Sequence, residues 1–198
     1  MTKIIGLTGG IGSGKTMVAN YMKSLGIPVY IADEEAKKIM DTQEVVKLVQ
    51  NAFGNTVINN NKINREQLAK LVFNNPEQLQ KLNAIIHPIV KQNFDNWVKN
   101  QHNVPFVVKE AAILFESGGD QYCDSIITVT APLEIRLERV IQRDKTNRKS
   151  VLDRMKNQWS DEKKIENSDY VIHNITIDDT KNQVDNILEI LKNQLNYL

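Results

Sequence analysis

The stretch Gly9-Gly10-Ile11-Gly12-Ser13-Gly14-Lys15-Thr16 constrains this chain more than any other. It fits G-x-x-x-x-G-K-[ST], a spacing with a physical reason behind it. Glycines let the backbone curl so that successive N–H groups converge on phosphate oxygens, with no side chain in the way. The flanks agree. Lys3-Ile4-Ile5-Gly6-Leu7-Thr8 is a short apolar run that reads as a buried strand, and Thr16 to Leu25 reads as a helix with Val18, Met22 and Leu25 on one face. Strand, glycine loop and helix come in the order the motif requires. The helix begins at the loop, so its free N–H groups and the positive end of its dipole face the same anion. Lys15 brings a mobile positive charge to the outer phosphates, and the Thr16 hydroxyl is placed to ligate Mg²⁺. Gly12, Ser13, Gly14, Lys15, Thr16 and Met17 are the expected contacts to a nucleoside triphosphate. The dinucleotide spacing G-x-G-x-x-G fails, because from Gly10 and Gly12 its last glycine falls on Lys15.

A chain of 198 residues with 41% hydrophobic content suits one α/β domain with room for an inserted subdomain. Lysine and arginine number 25 against 24 acidic residues, a net charge of +1, so the balance gives no support for a nucleic-acid partner. One cysteine, Cys123, excludes an intramolecular disulfide and a thiolate metal cluster, and the expected setting is reducing and intracellular. Cys123, beside Tyr122 and Asp124, reads as a structural thiol. There is no signal-like start and no apolar run near 18 residues, so the expectation is a soluble, cytoplasmic protein without a membrane partner. Nothing in the sequence points to an oligomeric state.

Past the first helix, Gly26 stands where a C-cap glycine belongs, and Ile27 to Ala32 reads as a second strand. Asp33 falls at its carboxyl end, the side of an open parallel sheet on which ligands bind, and so it should share a crevice with the glycine loop. It reads equally as the N-cap of a helix over Glu34 to Asp41. From Glu34 to Asn103 the apolar residues recur at mostly helical spacings, Asn59-Asn60-Asn61 is a turn signal, and Asn64 to Gln67 resembles a capping box. This stretch is too long for a tight connection and reads as an inserted helical lobe able to hold a second substrate. Val104 to Val108 restarts the sheet and runs on towards Ile113-Leu114-Phe115-Glu116. Ser125 to Thr130 is a further strand, Leu133 to Asp144 a charged helix, Tyr170 to Ile172 a last strand and Asp178 to Leu195 a final helix. Alternating strands and helices imply a parallel sheet with helices on both faces.

Arg136, Arg139 and Arg143 lie at i, i+3 and i+7 of the charged helix, followed by Arg148, Lys149 and Arg154. Singly they read as a solvated face paired with Glu134 and Glu138. As a group beside a phosphate-binding loop they suggest a lid whose arginines neutralise the charge that develops on a transferred phosphoryl group.

Several stretches together resemble the dephospho-CoA kinases of the P-loop kinase superfamily. They are Ile5 to Thr16, Asp33, Phe53-Gly54, Arg65-x-x-Leu68 with Val72-Phe73, and His87-Pro88. Ile113-Leu114-Phe115-Glu116, Arg139-x-x-x-Arg143-Asp144, Arg154-x-x-x-Gln158 and Asp169-Tyr170-Val171-Ile172-x-Asn174 complete the set. Ala112 stands where that family has a proline, Ala32-Asp33 keeps one aspartate of two, and Asn60 or Asn61 replaces a glycine turn. The resemblance implies a single P-loop kinase domain. Its core lies over about 1–33 and 104–198, its substrate lobe over about 34–103 and its lid over about 139–160. It also implies phosphorylation of dephospho-coenzyme A by ATP, with Mg²⁺, at the ribose 3′-hydroxyl. Asp33 would accept the hydroxyl proton, Lys15 and Thr16-bound Mg²⁺ would hold the β- and γ-phosphates, and Arg143, supported by Arg139, would come from the lid. Thr8, Arg65 and His87 are implied acceptor contacts and Asn174 an adenine-side contact. A nucleoside monophosphate, shikimate or gluconate kinase is the alternative enzyme. A GTP-driven switch would need an N-K-x-D-like motif, and Thr128-Val129-Thr130-Ala131 stands in its place.

Overall fold

The computed structural model describes residues 2–73 and 75–196. Met1, Asn74, Tyr197 and Leu198, which the expected core and lobe ranges take in, lie outside it. β1 (Lys3–Thr8) leads through the glycine loop into α1 (Lys15–Ser24), and β2 (Val29–Ile31) passes directly into α2 (Ala32–Met40). There follow α3 (Gln43–Phe53), the short strands β3 (Ile58–Asn59) and β4 (Lys62–Ile63), α4 (Arg65–Phe73) and α5 (Pro76–Lys99). β5 (Phe106–Glu110), β6 (Ser125–Thr130), α6 (Leu133–Asp144), α7 (Arg148–Met155), α8 (Asp161–Glu166), β7 (Tyr170–His173) and α9 (Ile177–Asn196) complete the chain. The chain forms two compact units, residues 1–31 with 101–198, and Ala32–Asn100.

The first unit is built on a parallel sheet in the order β2-β5-β1-β6-β7. β1 is central, and both its neighbours arrive late in the chain: Leu7 pairs with Glu110 on one side and with Ile127 on the other. Strands buried on both faces need nearly continuous apolar runs, which is how β1, β5 and β6 read. Ile5, Leu7, Phe106, Val108, Ile127, Val129 and Ile172 form one core with Val18 and Met22 of α1 and Val184, Leu188 and Leu191 of α9. Strand β5 begins at Phe106 rather than Val104, where pairing with Lys3 sets its start, and residues 111–116 turn instead of prolonging it. β2 is shorter than expected. Ala32 is already helical, so Asp33 lies in the first turn of α2 and is neither the last strand residue nor an N-cap. Cys123 is half-buried with Sγ turned to the Gly119 carbonyl at 3.5 Å, and burial pushes its thiol up to about 11, consistent with a structural residue.

The second unit packs α2 to α5 around Val45, Val46, Val49, Val57, Ile63, Leu68 and Ile86. Two details depart from a purely helical lobe. Asn60 and Asn61 hold positive φ of 48° and 59°, the pair of left-handed residues that closes a two-residue hairpin between β3 and β4. Pro88, a helix breaker by its own chemistry, sits inside the 24-residue α5. A proline there removes one backbone hydrogen bond. Ile85, Ile86, Ile89 and Val90 pack into the same apolar cluster on both sides of it, so burial holds the helix through the defect. Asn64 caps α4 as expected, its Oδ1 accepting from the Gln67 N–H at 3.1 Å. No helix among the described residues is long and apolar enough to cross a membrane.

Candidate active site

The glycine loop leaves the carboxyl end of β1 and is curled by left-handed backbone at Gly12 (φ 81°) and Gly14 (φ 91°). Gly14 is the N-cap of α1 and supplies no side-chain cap, so the first turn of the helix opens to the loop through backbone N–H groups, the arrangement that binds anions. Neighbours enforce the glycines. A Cβ on Gly14 would overlap the Asn174 amide, and one on Gly10 would overlap the Arg136 guanidinium and the Asp161 carboxylate.

Residues that follow β6 and β7 brace the loop. Asn174, 3% exposed and just past β7, donates from Nδ2 to the Ser13 carbonyl at 2.7 Å. Its Oδ1 accepts from Thr180 Oγ1 at 3.1 Å, and its own N–H bonds the Thr130 carbonyl at 2.8 Å. The Ile11 carbonyl accepts from Arg136 Nε at 2.9 Å, and the Ile11 N–H donates to Gln158 Oε1 at 3.0 Å. Arg136 is also ion-paired to Asp161, whose Oδ2 accepts from Thr130 Oγ1 at 2.8 Å. Arg136 is therefore fully engaged in holding the loop.

Arg139, one turn further along α6, behaves differently. Its Nη2 donates to the Asn174 carbonyl at 3.1 Å, while Nη1, beside Gly14, is buried with no protein partner. Thr8 Oγ1 at the end of β1 and Ser13 Oγ within the loop are likewise buried and unpartnered. Buried polar atoms are almost always satisfied, so three around one loop mark a place where a polar ligand completes the bonding. Lys15 is buried at the start of α1 and Thr16 is exposed beside it. Met17 turns its side chain onto the core, and its N–H bonds the Gly14 carbonyl at 3.0 Å.

The structure thus assembles Thr8, Gly12 to Thr16, Arg139 and Asn174 in one place. Arg143, at the end of α6, is 63% exposed, and its guanidinium is taken up by Asp144, which also pairs with Arg154. Two cations hold the Asp144 carboxyl well below the usual carboxylate range. Glu134 pairs with Arg148 of α7 rather than with an arginine of its own helix. Asp33, Arg65 and His87 belong to the second unit and are exposed. Within it, Arg65 donates to the Lys37 carbonyl and to Asp41 Oδ2, both at 2.9 Å, and so grips the helix that carries Asp33.

A second cluster escaped sequence reasoning. Lys164 of α8, with a fully buried side chain, donates to the Ala112 carbonyl at 2.9 Å and lies 3.0 Å from Glu116 Oε1. The same oxygen accepts from the Trp159 N–H at 2.8 Å, and the Trp159 ring stacks on Phe115 at 5.4 Å between centroids. Nothing local distinguishes Lys164 from Lys163 beside it; only the fold buries it.

A divalent cation at the loop fits these residues in one way. Among the described residues no group of three His, Cys, Asp or Glu side chains could cage a metal. Mg²⁺ is commonly held by one or two protein oxygens, several waters and the phosphates of its nucleotide. The exposed Thr16 hydroxyl at the mouth of the loop suits that mode.

Known proteins resemble this chain along most of its length. A family model for dephospho-CoA kinase matches residues 3–179. A dephospho-CoA kinase of Bacteroides fragilis is 39% identical over 188 residues, covering 94% of this chain and 90% of that protein. One from Fusobacterium nucleatum is 42% identical over 172 residues, covering 86% and 89%. A crystal structure of a Thermus thermophilus protein superposes with a TM-score of 0.88 at 31% identity, covering 96% of this chain and 97% of that one.

Proposed function

The chain belongs to the dephospho-CoA kinase family, and from that premise we propose how its own residues carry out ATP-dependent phosphorylation of dephospho-coenzyme A to coenzyme A. The observation that carries the site is the loop itself, with buried, unpartnered Ser13 Oγ and Arg139 Nη1 on either side of Gly14. Phosphoryl transfer asks a protein mainly to position two oxygens in line and to neutralise charge, and this loop is built for the donor half of that task.

The loop amides and Lys15 bind the β- and γ-phosphates of ATP, and Arg139 Nη1 completes its bonding on the nucleotide. Asn174 keeps the loop in shape through the Ser13 carbonyl. Thr16 would hold Mg²⁺, which supplies charge neutralisation at the bridging phosphates when bound. The acceptor is the ribose 3′-hydroxyl. Asp33 orients it and takes its proton, a reading supported by its place two residues beyond the carboxyl end of a parallel strand. Arg65 and His87 contact the acceptor, with Thr8 Oγ1 as a further polar contact. Arg143 exchanges Asp144 for the transferring phosphoryl group, and Arg154 keeps Asp144 paired when it leaves.

A coupled ADP-release assay tests the reading. ADP release should depend on dephospho-coenzyme A, and mass spectrometry should show the acceptor gaining one phosphoryl group. Release stimulated by a nucleoside monophosphate or shikimate, and not by dephospho-coenzyme A, would refute it.

A further inference from the structure

Ile11 is the one large apolar side chain between Gly9 and Gly14, and three separate contacts tie it to the chain between α6 and α8. Its carbonyl accepts from Arg136 Nε of α6 at 2.9 Å. Its N–H donates to Gln158 Oε1, just past α7, at 3.0 Å. Its side chain packs into a small apolar cluster formed by Leu137 and Val140 of α6 and Val151 of α7, with Leu152 and Met155 beside them. That cluster is separate from the core that holds β1 and α1. The loop therefore has its two ends rooted in the sheet core and its middle rooted in the small core of α6 and α7. Arg139, from the same α6, reaches Gly14.

We propose that Ile11, with Gln158, is a positioning residue that couples the phosphate loop to the α6–α7 segment, so that phosphate binding and the placement of the α6 arginines are set together. The physical basis is that two hydrogen bonds and a half-buried side chain packed on the α6–α7 cluster leave one residue little freedom to move independently of its partners. A change in loop geometry on binding phosphate is passed to α6 and α7, and a displacement of α6 and α7 is passed back. The inference rests on the loop being the ATP phosphate site.

Trp159 offers a direct reporter, because it follows Gln158 in the chain and stacks on Phe115. The chain has two tryptophans, so a Trp97→Phe background leaves Trp159 as the sole tryptophan, excited selectively at the red edge where tyrosine does not absorb. In that background, Mg-ATP is titrated while Trp159 emission is recorded and binding is followed in parallel by calorimetry. The parent should show a saturable emission change. Ile11→Ala should still bind ATP yet lose most of that change, and kcat with dephospho-coenzyme A should fall about tenfold, a usual size for coupling between sites. Ile11→Val should restore both. Gln158→Leu, which removes the acceptor of the Ile11 N–H without altering a loop side chain, should reproduce the loss. A merely structural role would lower the melting temperature and leave the emission change per bound ATP intact. The proposal is overturned if Ile11→Ala and Gln158→Leu respond with the parent's amplitude, or if the parent binds ATP with Trp159 silent. A parent that binds no ATP would instead refute the reading of the loop.

Discussion

Replacing Lys164 by Met tests the buried support beneath the segment that follows α7. The Lys164 side chain is 0% exposed, and its ammonium serves the Ala112 carbonyl at 2.9 Å and Glu116 Oε1 at 3.0 Å. Glu116 is pulled in two directions. Burial raises its pKa, while the Trp159 N–H, its own backbone N–H and Lys164 lower it, and the balance lies below the ordinary 4.5. Lys164→Met removes the cation and leaves a half-buried carboxylate with only backbone donors, the Trp159 N–H and its own N–H. Breaking a buried pair this way costs about 3–5 kcal/mol, against about 0–1 kcal/mol for an exposed pair. For a chain of this size, where 1 kcal/mol moves Tm by about 2–4 °C, the melting point at pH 7 should fall by about 6–20 °C. The pH dependence follows from the sign of the shift. In the parent the folded pKa is lowered, so the Glu116 contribution is present above 4.5 and is lost as pH falls through the folded value. In the variant the lowering that Lys164 supplies is gone, so the folded pKa lies above the parent's and less stability is lost as pH falls. The gap between the two proteins therefore narrows as pH falls from 7 through the parent's folded pKa, which lies below 4.5. Adding Glu116→Gln to Lys164→Met should recover most of the loss, because an amide oxygen still accepts from Trp159 without carrying charge. Calorimetric melts of the parent, both single variants and the double variant at several pH values measure all of this. A Lys164→Met melting point within about 3 °C of the parent at pH 7, or a gap that does not change with pH, would refute the reasoning.

Three further outcomes are expected. Asp33→Asn should keep ATP affinity by calorimetry while turnover falls by about 10²–10⁴, the range of a lost general base; unchanged turnover would leave Asp33 as a first-turn carboxylate of α2 and nothing more. Arg143→Ala should lower kcat more than it raises the acceptor KM, since its contact strengthens only as the phosphoryl group transfers; a loss confined to KM would remove it from that role. Asn174→Ala takes a buried brace from the Ser13 carbonyl and should cost about 1–3 kcal/mol of stability while raising the KM for ATP, read from thermal melts and initial rates; a variant with parental values for both would show that the loop holds its shape unaided.

The parts of the fold legible in the sequence are those whose cause is local. β6 and α6 occupy Ser125–Thr130 and Leu133–Asp144, the ranges read from the chain, because Pro132 both closes the strand and opens the helix. The glycine loop was legible for the same reason: its backbone geometry is written in its own glycines. The errors arise where a distant contact outweighs a local preference. Pro88 is a breaker by its own chemistry, and apolar side chains on both sides of it hold α5 through it. Strand β5 starts where β1 gives it a partner, not where its apolar run begins.

The arginines of α6 make the same point within the site. Spacing places Arg136, Arg139 and Arg143 on one helix, and nothing in the spacing ranks them. Their environments do. Arg136 spends its guanidinium on the Ile11 carbonyl and Asp161, residues 125 and 25 positions away, and so keeps the loop in shape. Arg143 is held at the surface by Asp144. Arg139 is the one of the three with a buried donor unclaimed by protein, next to Gly14. A cation already bonded to the loop's backbone cannot also follow a phosphoryl group as it moves, because leaving would release the loop. On the proposed reading, loop-holding and charge neutralisation fall to different arginines of one helix, and Ile11 is bonded to the first of them.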